Sequence, residues 1–91
     1  MVSKRADREM ILELYSLIAS LETAEDCEML FSDLCTYKEI EQMAQRIKAA
    51  RLLMEGRTYT QVKECCDISS ATLSRVSRCV QYGEGYRKFC K

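Results

Sequence analysis

The chain has 91 residues, 47% of them hydrophobic and 31% charged, with 14 Lys/Arg against 14 Asp/Glu. That length holds one small domain with a real core and excludes anything larger. No stretch is long and apolar enough to span a membrane, and the opening MVSKRADREMILELYSLI carries charges inside its apolar part. Neither a transmembrane helix nor a signal peptide is expected, and a cytoplasmic location is the corresponding expectation. Proline is absent and glycine occurs only at 56, 83 and 85. Nothing breaks a helix before Gly56, which predicts an all-α fold.

The zero net charge hides a division. Residues 1–45 hold four Lys/Arg and ten Asp/Glu, whereas residues 46–91 hold ten Lys/Arg and four Asp/Glu. The C-terminal half is thus basic by six charges, an arrangement that suits a polyanion because each neutralised phosphate releases counterions. The six cysteines, at 27, 35, 65, 66, 79 and 90, form no C-x-x-C pair, and there is no histidine. A zinc site is not expected. A disulfide framework is not expected without a secretory leader. Most of the cysteines fall at core-like spacing, where a free thiol acts as a small hydrophobe. Cys90, near the end, is expected to be the exposed one.

In chain order, a first helix is expected over 5–21, with Met10, Ile11, Leu14, Leu17, Ile18 and Leu21 in one stripe and Arg8, Glu9, Glu13 and Ser16 opposite. So short a chain has little to cover that stripe. Packing against a partner subunit, as a homodimer, is the expectation, with packing inside one subunit the alternative. Thr23 caps a second helix, with Glu25 and Asp26 in its first turn. Cys27, Leu30, Phe31 and Leu34 form its stripe, and residues 1–35 together read as dimerisation helices. Thr36 and Glu39 make a capping box that opens a long central helix over 36–56. Its expected inner face is Ile40, Met43, Ala44, Ile47, Ala50, Leu53 and Met54, and Gly56 ends it.

Residues 59–82 have the pattern of a helix-turn-helix. Thr58 and Gln61 form a second capping box. Val62 and Cys66 face inward from the first short helix, Ile68 plugs the corner, and Leu73, Val76 and Val80 line the second helix at steps of three and four. The other face of that second helix carries Ser70, Ala71, Ser74, Arg75 and Arg78, small or polar groups that let a helix approach bases closely. Two positions are unusual. Asp67 stands where a tight turn often has glycine, which predicts strain in the left-handed region. Lys63 stands where a small residue usually faces the second helix, so it either snorkels outward or holds the helices apart. Ser69 or Ser70 caps the second helix, which should run to Gln81. Residues 86–91 read as one more helical turn with Phe89 tucked inward.

The run Ser69-Ser70-Ala71-Thr72-Leu73-Ser74-Arg75, followed by Arg78-Cys79 and closed by Tyr82-Gly83, resembles the Trp repressor superfamily, and within it the small Trp-repressor-related proteins of the YerC/YecD type. The preceding helix, with Glu39, Arg46, Leu53 and Gly56, resembles the segment before the reading head of that family. The resemblance covers residues 30–86. It implies an all-helical, intertwined homodimer binding a pseudo-palindromic operator. Recognition helices about 34–36 Å apart would enter successive major grooves. It also implies an effector pocket lined by Thr36, Arg46, Thr72, Arg75 and Cys79, for tryptophan or another small corepressor. Arg46 and Arg75 could flank a ring and grip a carboxylate. Against tryptophan, Val76 stands where the family pocket has glycine, and Cys79 where it has serine. No resident cofactor or metal is expected.

The functional expectation is a transcriptional regulator, a repressor, that binds double-stranded DNA. Thr60, Gln61, Lys63 and Arg78 would meet phosphates, as would Arg75. Ser70, Ala71 and Ser74 would face base edges, with Ser69 and Thr72 aiding position. The alternative is a helical protein–protein adaptor working through the acidic half. An enzyme is not expected, because no nucleophile has a base beside it and there is no phosphate loop.

Overall fold

The computed structural model describes residues 7–91. Its order is α1 (Arg8–Ala19), α2 (Ala24–Leu34), α3 (Tyr37–Met54), α4 (Tyr59–Cys65), α5 (Ser70–Tyr82) and α6 (Gly85–Phe89). Among the described residues there is no strand, and no helix is long and apolar enough to cross a membrane. The chain divides into two compact units, residues 1–35 and 36–91.

In the first unit, each helix starts where a side chain satisfies a free amide of its first turn. Asp7 accepts from the Met10 N–H at 2.9 Å, and Thr23 accepts from the Asp26 N–H at 3.0 Å. Asp7 therefore starts α1 at Arg8. The expected start at residue 5 lies outside the described residues, and the helix ends at Ala19 rather than 21. Neither α1 nor α2 contains a buried residue. Met10, Ile11, Leu14 and Leu17 of the expected stripe are all exposed, as are Met29 and Leu34. Ile18 and Leu21 are half-buried, and no residue of the stripe is fully buried.

The second unit holds the core. Ala49, Ala50, Leu52, Val62, Cys66, Ile68, Leu73 and Val76 are buried together, with Leu53, Val80 and Tyr86 packed against them. α3 is the spine of this unit, with α4, α5 and α6 all packed on it. Both capping boxes are closed. The Thr36 N–H donates to Glu39 Oε1 at 2.8 Å while the Glu39 N–H donates to Thr36 Oγ1 at 3.1 Å. The Thr58 N–H donates likewise to Gln61 Oε1 at 2.9 Å, and the Gln61 N–H returns to Thr58 Oγ1 at 3.2 Å. Gly56 sits at φ +90°, so α3 does end on a left-handed glycine.

Four expectations are corrected. The buried face of α3 is Ala49, Ala50 and Leu52, whereas Ala44 and Ile47 lie exposed. Two of the three buried residues are alanines. At Asp67 there is no strain of the expected kind, since no non-glycine residue has positive φ. The turn leaves α4 through Cys66 in extended geometry (φ −130°, ψ 138°). Phe89 is not tucked inward but 75% exposed, beneath the Lys88 ammonium at 5.3 Å. Tyr86 takes the inward place on α6. Among the cysteines only Cys66 is buried, Cys27 and Cys65 are exposed, and Cys90 is half-buried. Cys90 is held because its carbonyl accepts from Arg51 Nε at 3.1 Å.

Candidate nucleic-acid interface

α4 and α5 place the expected reading residues on one open surface. Val62 and Leu73, both fully buried, fix the two helices against α3. Each further turn then points outward. On α4, Thr60, Gln61 and Lys63 are exposed. On α5, Ser70, Ala71, Ser74, Arg75 and Arg78 are exposed, Ser69 is exposed as its cap, and Thr72 is half-buried. All ten residues named from the sequence therefore lie on α4, on α5 or at its cap, and nine are open to solvent.

The polar contacts at the front of α5 are specific. Ser69, not Ser70, is the cap. Its oxygen accepts from the Thr72 N–H at 3.2 Å, and its hydroxyl donates to Thr72 Oγ1 at 3.0 Å. Lys63 snorkels, and its ammonium donates to Ser70 Oγ at 2.7 Å across the turn. Gln61 has its carbonyl oxygen committed to the Thr58 amide, which leaves its NH2 group for another partner. Burial pushes the Cys66 thiol above its ordinary range. A negative charge at Cys65 adds to this, and the Lys48 ammonium works against it. Cys66 is therefore a packed, protonated apolar group behind the turn.

Behind α5 lies a cleft of about 420 Å³ lined by Arg46, Thr72, Arg75, Val76, Cys79 and Tyr86. Arg46, Thr72, Arg75 and Cys79 of the expected effector pocket come together here. Thr36 is not on this wall. It caps α3 through Glu39 instead, and the hydrogen bonds it receives and returns hold the Glu39 carboxyl below the usual carboxylate range. Tyr86 is the wall residue that sequence reasoning missed. Its only signal was an aromatic just beyond Gly85, which reads equally well as a frayed terminus. A second, more polar cleft of about 330 Å³ shares Arg46 and Thr72 and adds Gln42, Gln45, Asp67, Ile68 and Ser69. Among the described residues no cluster of acidic, cysteine or histidine side chains could hold a metal.

The sequence profile of the Trp repressor protein family matches residues 9–90. The chain belongs to the Trp repressor family. A YerC protein from Bacillus subtilis (strain 168), described as uncharacterized, is 46% identical over 71 residues, which is 78% of this chain and 68% of that one. Two solved structures of the same family character superpose on it. A candidate Trp repressor from Staphylococcus aureus has a TM-score of 0.84 and 36% identity, covering 89% of this chain and 82% of that chain. A TrpR-like protein from Eubacterium eligens has a TM-score of 0.83 and 37% identity, covering 88% of this chain and 84% of that chain. Proteins of the Trp repressor family are DNA-binding regulators and not enzymes, and this chain carries the corresponding all-helical fold.

Proposed function

We propose that this protein is a sequence-specific repressor of transcription that acts as a homodimer and places α5 in the DNA major groove. The observation that carries the reading is the outer face of α5. Ser70, Ala71, Ser74, Arg75 and Arg78 stand open to solvent on a helix whose inner side is locked by Leu73 and Val76. They lie in the half of the chain with an excess of six positive charges. Short side chains admit the helix to the groove floor, and the arginines meet the phosphate walls. Thr60 and Gln61 approach the same backbone from α4, Lys63 stands beside them, and Ser69 and Thr72 set the angle of entry. The exposed apolar side chains of α1 supply a surface for the second copy, and two copies give the paired reading heads that a pseudo-palindromic operator requires. No corepressor belongs to this reading. Val76, which stands where the family pocket has glycine, lines the cleft together with Arg46 and Arg75.

The test is a salt titration of binding to duplex DNA, with wild type beside Arg75→Ala plus Arg78→Ala. The expected slope of log affinity against log salt is steep, and it falls by about 0.9 for each phosphate contact removed. Equal slopes for the two proteins would refute the assignment of these arginines. Absence of duplex binding would sink the DNA reading and leave the acidic half as an adaptor surface. Sedimentation as a folded monomer at micromolar concentration would sink the homodimer.

A further inference from the structure

Lys63 and Ser70 are joined at 2.7 Å between Nζ and Oγ. The polarity of that bond has only one solution. An ammonium group has three donors and no acceptor, so the serine oxygen must accept. The Ser70 hydroxyl proton is therefore turned away from Lys63. A second donor approaching the same oxygen would also face the lysine's positive charge. Serine on a recognition helix ordinarily contacts either kind of base edge, because it rotates to donate or accept. At Ser70 one lone pair is taken by Lys63 and the other lies in the field of the ammonium, which biases the hydroxyl towards donating.

Its neighbours sharpen the point. Ser69 is spent inside the protein, since its oxygen holds the Thr72 amide and its proton goes to Thr72 Oγ1. Ser70 is the first residue of α5, at the end of a recognition helix that reaches base edges. It is exposed.

We propose that Lys63 is a positioning residue that biases Ser70 towards donating, so that Ser70 favours a base edge presenting an acceptor over the cytosine amino group. The matching edges are guanine N7 and O6, adenine N7 and thymine O4. This rests on the DNA reading above and gives Lys63 a role in sequence choice rather than in general phosphate attraction.

The experiment uses the full chain and the operator that the wild type selects from a random duplex library. Binding is measured to that operator, to every single base-pair substitution of it, and to random duplex. The wild type should show one base pair at which introducing the cytosine amino edge lowers affinity about fivefold or more, the range of one hydrogen bond. Ser70→Ala should level that preference. Lys63→Met, which keeps the stem without the charge, should level it at the same base pair, and the double variant should do no more than either single one. Lys63→Arg, which keeps a donor, should retain it. Both substituted side chains are on the surface, and unchanged thermal melting checks that each of the four variants folds. The proposal is overturned if Lys63→Met keeps the base preference and instead weakens operator and random duplex equally with a lower salt slope. It is overturned as well if Ser70→Ala leaves every preference unchanged. A wild type that binds no duplex at all overturns the DNA reading itself, an outcome distinct from binding without a preference that depends on Ser70.

Discussion

Leu73→Ala is the sharpest probe of how α5 is held. Leu73 is 0% exposed and sits in the cluster that joins α3, α4 and α5. Truncation removes three carbon atoms, about 2.4 kcal/mol at about 0.8 kcal/mol for each buried methylene. Incomplete collapse of the site adds a cavity term, so the loss should fall near 3–4 kcal/mol, within the range of about 2.7–5 seen for buried leucines. A chain of this size is stabilised by about 5–14 kcal/mol in total, so one side chain carries about a fifth or more of it. In urea, with a slope of about 1–1.5 kcal/mol per molar, the midpoint should fall by about 2–4 M. The assay is equilibrium unfolding followed by helical circular dichroism, with protomer concentration held equal for all variants. The neighbouring Ser74→Ala is the internal control. Ser74 lies one residue along the same helix on its open face, and its loss should stay within about 0.5 kcal/mol. A loss below about 1 kcal/mol for Leu73→Ala, or an equal loss for the two variants, would refute the placement of the helix.

Other outcomes follow from the caps and the thiols. Glu39 has its carboxyl lowered by the hydrogen bonds of its capping box with Thr36, so its contribution to stability is present above its unfolded value and lost as pH falls through the folded one. The difference in melting temperature between wild type and Glu39→Gln should therefore shrink from about pH 6 to about pH 3, and a constant gap would refute the linkage. Cys65 and Cys66 are neighbours with opposite fates, one exposed and one buried with a raised pKa. Brief alkylation of the native protein, read by peptide mass spectrometry, should label Cys27 and Cys65 well before Cys66. Equal labelling of Cys65 and Cys66 would show that the turn is open.

Where the sequence was legible, it was so through local chemistry. Thr23, Thr36, Thr58 and Ser69 each cap the helix they precede. A hydroxyl followed by a helical stripe states its own purpose without any tertiary knowledge. The inward residues of the helix-turn-helix, Val62, Cys66, Ile68, Leu73 and Val76, were equally plain, because each short helix has only one apolar side. α3 was harder. It is apolar on more than one side, and hydrophobic periodicity alone favours Ile40, Met43 and Ile47 over Ala49. Burial is decided by where α4, α5 and α6 pack on α3, a property of the neighbours rather than of the stripe. Phe89 and Tyr86 show the same limit. Both are aromatic and three residues apart, and only the direction in which α6 leaves Gly83 decides which one turns inward. The open face of α5 was legible as a set of residues, while the bond from Lys63 to Ser70 depended on how the turn folds.

That turn also bears on how far the chain can change. With no positive φ between α4 and α5, its geometry places no demand for glycine at position 67. Aspartate is exposed there, and most amino acids could replace it without backbone strain. The constraint sits instead on the flanking pair, Cys66 and Ile68, which are buried on either side. A search pattern built on an obligatory turn glycine would pass over this protein. One that asks for two small or apolar residues separated by a single free position would retain it. Substitutions accumulating here should be permissive at 67 and restrictive at 66 and 68, so that the link between α4 and α5 drifts in sequence while its angle stays fixed.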